Sequence, residues 1–338
     1  MTQDQSQGMD DRPAVIGVLG AGAWGSALAL TSARAGHRVL LVGRNGEVIE
    51  AINRTRRSPV LPMAQFPDTV LASTDVAALR AADVLLLAVP AQATRAAVAD
   101  IADVLRPGTV VVTCAKGIER ESGFLLTEVI SYGFQSGPVA VLSGPGFAED
   151  LARGLPTAVT IAADDIALAE VLAYLLAGPG FRPYAASDMV GVQLGGAIKN
   201  VLAIAAGVVI GRGLGASAQA AVITRGFVEM RRLAAAFGAK SETLMGLSGL
   251  GDLMLTCGSG QSRNYAFGMS IGQGVDPASF GKLAEGAATA EIAVTRARSF
   301  GIEVPIMSAV ADVLSGRIDV NGAIERLMSR PLKREDAS

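Results

Sequence analysis

Two lysines stand in settings where lysine is costly. The stretch GGAIKNVLAIAAGVVIG (195–211) is apolar on every side of a helix and so reads as buried, yet Lys199 and Asn200 sit in its middle. A lysine is rarely fully buried without a partner, and desolvation lowers its proton affinity toward neutrality. Lys116 has a similar setting in CAKGIE (114–119). Of 29 basic residues only five are lysines, at 116, 199, 240, 282 and 333, so arginine supplies the ordinary surface charge. A guanidinium cannot release a proton near neutral pH, whereas an amine in a dry cleft can. These positions suit general acid–base transfer to an oxygen, each ammonium lowering the other's pKa. The competing reading is an amine whose stem is buried while its head reaches a domain interface.

A second chemistry lies near the start of the chain. GAGAWG (20–25) follows a β-branched run and opens a helical stretch, which is the context that gives a GxGxxG meaning. Gly20 allows a tight turn, Gly22 lets backbone approach a pyrophosphate, and Gly25 lets helix and strand pack closely. Free N–H groups at the helix start, beginning at Ala23 and Trp24, complete a dinucleotide phosphate site. Where an NAD-selective domain carries Asp or Glu, this chain has Gly43-Arg44-Asn45, followed by Arg54, Arg56 and Arg57. Arg44 can pair with a 2′-phosphate that a carboxylate would repel, so NADP(H) is favoured and NAD(H) is the lesser option.

The elements that must position these groups fall into two kinds. AVIGVL (14–19), RVLLVG (38–43), TVLAS (69–73), DVLLLAV (83–89), TVVVTCA (109–115) and PVAVLS (138–143) read as strands separated by Ala-rich helices. That alternation predicts an α/β fold, a doubly wound parallel sheet of Rossmann type, which PTAVTIAA (156–163) and FRPYAA (181–186) extend. After Ser187 only helical stretches remain. The predicted organisation is a loose tail at 1–12, a dinucleotide-binding domain at 13–188 and an all-helical substrate domain at 189–331. Lys116 then lies just past a strand, on the carboxyl edge where open α/β sheets bind ligands.

Composition narrows the function classes. Half of the 338 residues are apolar, 18% are charged and the net charge is -2, which excludes a disordered chain and a basic field for nucleic acid. His37 is the only histidine, and Cys114 and Cys257 match no metal or redox spacing, so no metal and no His-based triad is expected. The tail is not a signal peptide, and the apolar stretch nearest to a membrane span is interrupted by Lys199 itself. A cytoplasmic protein without membrane insertion is predicted; assembly as a homodimer is left open.

Taken together, GAGAWGSALA, VPAQATR (89–95), CAKGIE, LSGPGFAED (142–150), GGAIKNVLAIAAG, ITRGFVEM (223–230), MGLSGLGDLMLTC (245–257), QSRNYAFG (261–268) and AEG (284–286) resemble bacterial NAD(P)-dependent glycerol-3-phosphate dehydrogenases in order and spacing, from about residue 14 to 310. The resemblance implies interconversion of dihydroxyacetone phosphate and sn-glycerol 3-phosphate, the backbone of glycerophospholipids. It also implies Lys199 as proton donor and acceptor, with Lys116 touching both cofactor and substrate. Gly144, Asp252, Ser262, Arg263 and Asn264 match substrate positions, and Trp24, Arg44, Ala148, Arg263, Leu283 (through its backbone) and Glu285 match cofactor positions. Ser262 is suited to cap a helix whose first residue, Arg263, clamps a phosphate. Asp252, in an apolar context, needs a cationic or hydroxyl partner, and orienting Lys199 or the substrate hydroxyl would supply one. Two departures stand out: many relatives have Ser where this chain has Ala23 and Gly146, so side-chain contact with substrate at Gly146 gives way to backbone or water. The other readings are a ketopantoate-type keto-acid reductase and a non-catalytic NADPH sensor.

Overall fold

The computed structural model describes residues 13–281, 284–331 and 334; the tail at 1–12 and Leu283 lie outside the described residues. β1 (Val15–Leu19) leads into α1 (Ala23–Arg34), β2 (Arg38–Val42) and α2 (Gly46–Thr55). A small hairpin, β3 (Arg57–Ser58) and β4 (Leu61–Gln65), precedes β5 (Val70–Ser73) and β6 (Val84–Leu87). Then come α3 (Thr94–Ile101), β7 (Val110–Thr113), α4 (Leu126–Gly133), β8 (Val139–Ser143), α5 (Ala148–Arg153), β9 (Thr157–Ala163), α6 (Ile166–Leu176) and β10 (Phe181–Ala186).

The large sheet has the order β10-β9-β8-β7-β6-β1-β2-β5. The chain winds outward from β1 through β2 to β5, then crosses back to β6, so the winding reverses between β1 and β6. Such a reversal opens a crevice at the carboxyl ends of those two strands. The segments 20–25 and 88–92 follow them, and Lys116 and Gly144 follow β7 and β8 along the same edge.

One expectation is corrected. The sheet is not parallel throughout, because β9 runs antiparallel to β8 while β10 runs parallel to β9. Between β8 and β9 the only helix is α5, six residues long, which spans about 9 Å. That is too short to carry the chain back along a strand, as a parallel crossover requires. The 11-residue α6 is long enough, and the pair it joins is parallel.

Beyond Ala186 the described chain is helical: α7 (Met189–Gly211), α8 (Gly215–Ala236), α9 (Ser241–Met245), α10 (Asp252–Cys257), α11 (Arg263–Gly272), α12 (Glu285–Ser299), α13 (Pro305–Leu314) and α14 (Val320–Met328). By length and hydropathy α7 alone among the described helices passes for a membrane span, yet 83% of its most apolar window is buried inside the protein. It forms the axis of the helical core. Its first turns also touch the sheet, where Val192 packs with Val141 and Ala162 and Gln193 exchanges hydrogen bonds with Thr127 at the start of α4.

Against α7 lies α11. A Cβ on Gly268 would meet Ile204 O at 2.1 Å, and one on Gly272 would meet Val208 O at 2.4 Å. A Cβ on Gly207 or Gly211 of α7 would likewise meet Tyr265 O or Met269 O, at 2.2 Å each. The contacts 200 to 264, 204 to 268 and 208 to 272 advance together, so the helices run parallel with their backbones touching. Glycine is needed at these positions because any side chain would push the helices apart.

Candidate active site

The glycine turn after β1 has the shape that phosphate binding requires. Gly20 has φ +117°, and a Cβ there would strike Ala88 O at 2.5 Å; a Cβ on Gly25 would strike Gly20 O at 1.8 Å. Around Gly22, by contrast, nothing lies within 4 Å of a Cβ position. The first two glycine-critical contacts hold turn, helix and sheet together, and the third position leaves room for a ligand. Helix α1 starts at Ala23 and Trp24 with no side-chain cap and no acidic residue in its first turn, so its N–H groups are free to meet an anion. The residues present therefore fit the pyrophosphate of a dinucleotide.

Arg44 follows β2, exposed and without a hydrogen bond or ion pair among the described residues. Its neighbours are otherwise engaged. Asn45 caps α2 through Val48 N–H, Arg56 donates to the carbonyls of Phe66, Pro67 and Val70, and Arg57 donates to Pro62 O and Gln65 Oε1. Of the downstream arginines named from the sequence, only Arg54 joins Arg44 as available charge.

The two singled-out lysines meet on one carboxylate. Lys199 Nζ lies 2.8 Å from Asp252 Oδ1, and Lys116 Nζ lies 2.5 Å from Asp252 Oδ2. Lys116 also donates to Gly144 O at 2.9 Å, and Lys199 donates to Thr256 Oγ1 at 2.6 Å. Three elements converge here: the segment after β7, the middle of α7, and the start of α10. Gly195 and Gly196 make the approach possible, since a Cβ on the first would meet Ser248 O at 2.7 Å and one on the second would meet Ser143 Oγ at 2.6 Å. Just ahead of Asp252 the chain forms a π-helical turn over Leu247–Gly251, which offsets α10 so that Asp252 and Thr256 face α7.

One carboxylate between two ammonium groups leaves the trio one positive charge in excess. Burial, reinforced by Lys116, brings Lys199 down to about 8, with Asp252 opposing. Burial works to raise the Asp252 carboxyl, but the charges of Lys116 and Lys199 outweigh it and hold Asp252 below the usual carboxylate range. Asp252 thus stays ionised at neutral pH, and Lys199 is the member poised to exchange a proton. Both cysteines are buried, and burial pushes both thiols up, Cys257 to about 12. Neither supplies a thiolate near pH 7.

Next to the trio stands α11. Ser262 caps it by accepting from Tyr265 N–H at 3.2 Å, while the N–H groups of Arg263 and Asn264 remain at the open helix end. The Arg263 side chain is exposed and makes no hydrogen bond or ion pair among the described residues. The Asn264 side chain, in contrast, is turned inward: it donates to Asn200 Oδ1 and accepts Gly286 N–H, both at 2.9 Å. One N–H and one lone pair of that amide remain for a ligand. Glu285, first in α12, reaches across the cleft to accept Ala91 N–H at 3.3 Å. Burial raises its carboxyl above the usual range, against that N–H and the nearby Arg263, Lys116 and Lys199.

Two further positions lie at the end of β8. Ala148 begins α5, and Gly146 faces Trp24: a Cβ there would meet Thr157 Cγ2 at 3.2 Å and Trp24 Cη2 at 3.3 Å. A side chain at this position would be crowded by Thr157 and the Trp24 indole. Sequence reasoning missed Thr256, although its place four residues after Asp252 puts both on one helix face. It also missed Asn200 as the partner of Asn264, for which adjacency to Lys199 was the available signal.

Comparison with known proteins adds independent findings. The family profile described as NAD-dependent glycerol-3-phosphate dehydrogenase N-terminus matches residues 15–169, and its C-terminal counterpart matches residues 188–325. A protein of Bradyrhizobium sp. (strain ORS 278), named as a glycerol-3-phosphate dehydrogenase using NAD(P)+, is 52% identical over 328 residues, covering 97% of this chain and 100% of that one. One of the same name from Brucella ovis is 51% identical over 323 residues, covering 95% and 99%. The crystal structure of glycerol-3-phosphate dehydrogenase from Coxiella burnetii superposes with a TM-score of 0.89 at 38% identity, covering 94% and 99%. A ketopantoate reductase from Ralstonia eutropha is alike in fold only, with a TM-score of 0.62 and 18% identity.

Proposed function

The chain belongs to the NAD-dependent glycerol-3-phosphate dehydrogenase family, and from that premise we propose how its own residues carry the reaction. The activity is the interconversion of dihydroxyacetone phosphate and sn-glycerol 3-phosphate, in which the bound nicotinamide cofactor supplies or accepts the hydride. The observation that carries the assignment of roles is the single carboxylate shared by Lys116 and Lys199.

In the reductive direction Lys199, as ammonium, protonates the oxygen at C2. Lys116 stabilises negative charge developing on that oxygen, and Asp252 holds both amines in place. Arg263 grips the substrate phosphate in parallel hydrogen bonds, with the Ser262 hydroxyl, the open N–H groups of α11 and the remaining capacity of Asn264 completing its shell. The Gly144 and Gly146 backbone borders the same substrate. Gly20, Gly22, Ala23, Trp24, Gly25 and Ala148 would hold the cofactor, with Glu285 contributing from the helical domain. A keto-acid reductase would need no phosphate grip, and a mere sensor would need no proton donor.

The deciding assay follows NADPH absorbance with dihydroxyacetone phosphate against ketopantoate. Within it, Arg263→Ala should lower kcat/KM for dihydroxyacetone phosphate by about 10²–10³-fold, because remote phosphate binding positions C2. Unphosphorylated dihydroxyacetone, already a poor substrate, should change less than about threefold, since a phosphate contact is worth nothing to it. Equal losses for both ketones at saturating NADPH would show that Arg263 does not read the phosphate.

We also propose that NADP(H) is preferred, with Arg44 on the 2′-phosphate; its exposure and its lack of a hydrogen bond or ion pair among the described residues support this. Arg44→Asp should shift the ratio of NADPH to NADH efficiency by about 10²-fold or more toward NADH, one charge-assisted bond having been replaced by repulsion. An unchanged ratio in steady-state kinetics would reduce Arg44 to surface charge. The same reading places the enzyme in the cytoplasm, feeding glycerophospholipid synthesis from small phosphorylated substrates. The burial of α7 inside the protein supports a chain that does not insert into membrane.

A further inference from the structure

Asp252 and Thr256, which hold the Lys199 amine, and the Arg263 phosphate grip sit on different helices, α10 and α11, joined by the loop 258–262 with glycine at 258 and 260. A loop of that composition does not by itself hold two helix ends at a fixed separation. Both helices pack on α7, and a side chain from a further helix ties their adjoining ends directly to each other. Gln219, in the second turn of α8 and half-buried, donates from Nε2 to Cys257 O at 3.0 Å and to Tyr265 Oη at 3.2 Å. Cys257 is the last residue of α10, one residue after Thr256, and Tyr265 lies in the first turn of α11, two residues after Arg263. Both hydrogens of one amide nitrogen thus join the end of the helix bearing Asp252 and Thr256 to the start of the helix bearing Arg263.

We propose that Gln219 is a positioning residue that sets the distance between the reacting carbonyl and the phosphate grip, and so selects a three-carbon phosphorylated ketone. The inference rests on the reading of Arg263 as the phosphate anchor. In a rigid site an ångström of misplacement is felt strongly, so a brace between anchor and reacting group acts on substrate length and not on cofactor binding. Tyr265 also packs its ring into the helical core, 8% exposed, so its hydroxyl is a fixed point for the brace.

The test is steady-state kinetics at saturating NADPH on wild type, Gln219→Leu, Tyr265→Phe and the double variant. Three ketones serve as probes: dihydroxyacetone phosphate, its homologue with one extra methylene between carbonyl and phosphate, and dihydroxyacetone. Gln219→Leu should lower kcat/KM for dihydroxyacetone phosphate about tenfold, the homologue less than about twofold, and dihydroxyacetone hardly at all. Discrimination against the longer ketone then falls. Tyr265→Phe should act in the same direction more weakly, and the double variant should be no worse than Gln219→Leu alone. Equal losses for all three ketones, unchanged discrimination, or additive effects of the two substitutions would overturn the proposal. Arg263→Ala separates the two readings: if it is selective for the phosphorylated ketone and Gln219→Leu is not, the brace alone is wrong. If Arg263→Ala is itself unselective, the phosphate reading fails and the brace falls with it.

Discussion

Replacing Lys199 with alanine should lower kcat for dihydroxyacetone phosphate reduction by about 10²–10⁴-fold while leaving NADPH affinity within about twofold. The separation follows from the fold: Lys199 is on α7, whereas the glycine turn proposed to hold the cofactor phosphates lies between β1 and α1. Lys199→Arg should be nearly as damaging, although it keeps the charge, because guanidinium does not release a proton near neutrality. The pH profile gives a second readout. Lys199 is brought down to about 8 in the free enzyme, so reductive kcat/KM should fall as pH rises through that region and ammonium is lost. The alanine variant should lose this limb. An arginine variant with near-normal kcat would make the amine an electrostatic fixture and end the assignment.

Asp252→Asn should be the most damaging isosteric change in the protein. It leaves two buried ammonium groups within hydrogen-bond reach of one neutral amide, and breaking a buried pair from one side costs about 3–5 kcal/mol. Activity should drop by about 10³-fold or more as both amines lose their orientation and charge balance. The variant can relieve the repulsion only by releasing a proton from one lysine. Its folded state then binds fewer protons than its unfolded state, so its stability should rise with pH from the folded-state lysine pKa up to about 10.4, the unfolded value. Urea titrations of wild type and variant at several pH values measure this. A variant as stable as wild type at pH 7, with no upward slope, would mean that Asp252 is not the counter-charge.

How far this site was legible in the sequence differs from residue to residue. Lys199 and Lys116 were visible because an amine in an apolar run is an anomaly, and the turn at 20–25 was visible because its three glycines have separate local duties. The strands were visible because β-branched runs buried on both faces lack alternation. What escaped depends on contacts between distant segments. The reversal of β9 follows from the length of α5, a boundary that periodicity does not fix. The hairpin at 57–65 is held by Arg56 and Arg57 reaching carbonyls along the chain, which makes a basic cluster look like a ligand site when most of it is structural. The offset that turns Thr256 and Asp252 toward Lys199 comes from the π-helical turn, for which the sequence offers only two glycines. The inward turn of Asn264 needed knowledge that α11 lies alongside α7.

That parallel contact between α7 and α11 has a consequence for how the protein is made. The two glycine faces fit only each other, yet one is translated well before its partner. With about sixty residues between their ends, a ribosome working at roughly 5–20 residues per second leaves α7 without α11 for roughly 3–12 s. During that interval the longest apolar helix of the described chain, which carries an amine not yet given its carboxylate, has emerged without the α11 surface that will cover one of its faces. Docking on the finished sheet through Val192 and Gln193 is the shelter available to it at that stage. The nascent chain is therefore most exposed to chaperones, and to aggregation, between the synthesis of Gly211 and that of Gly272.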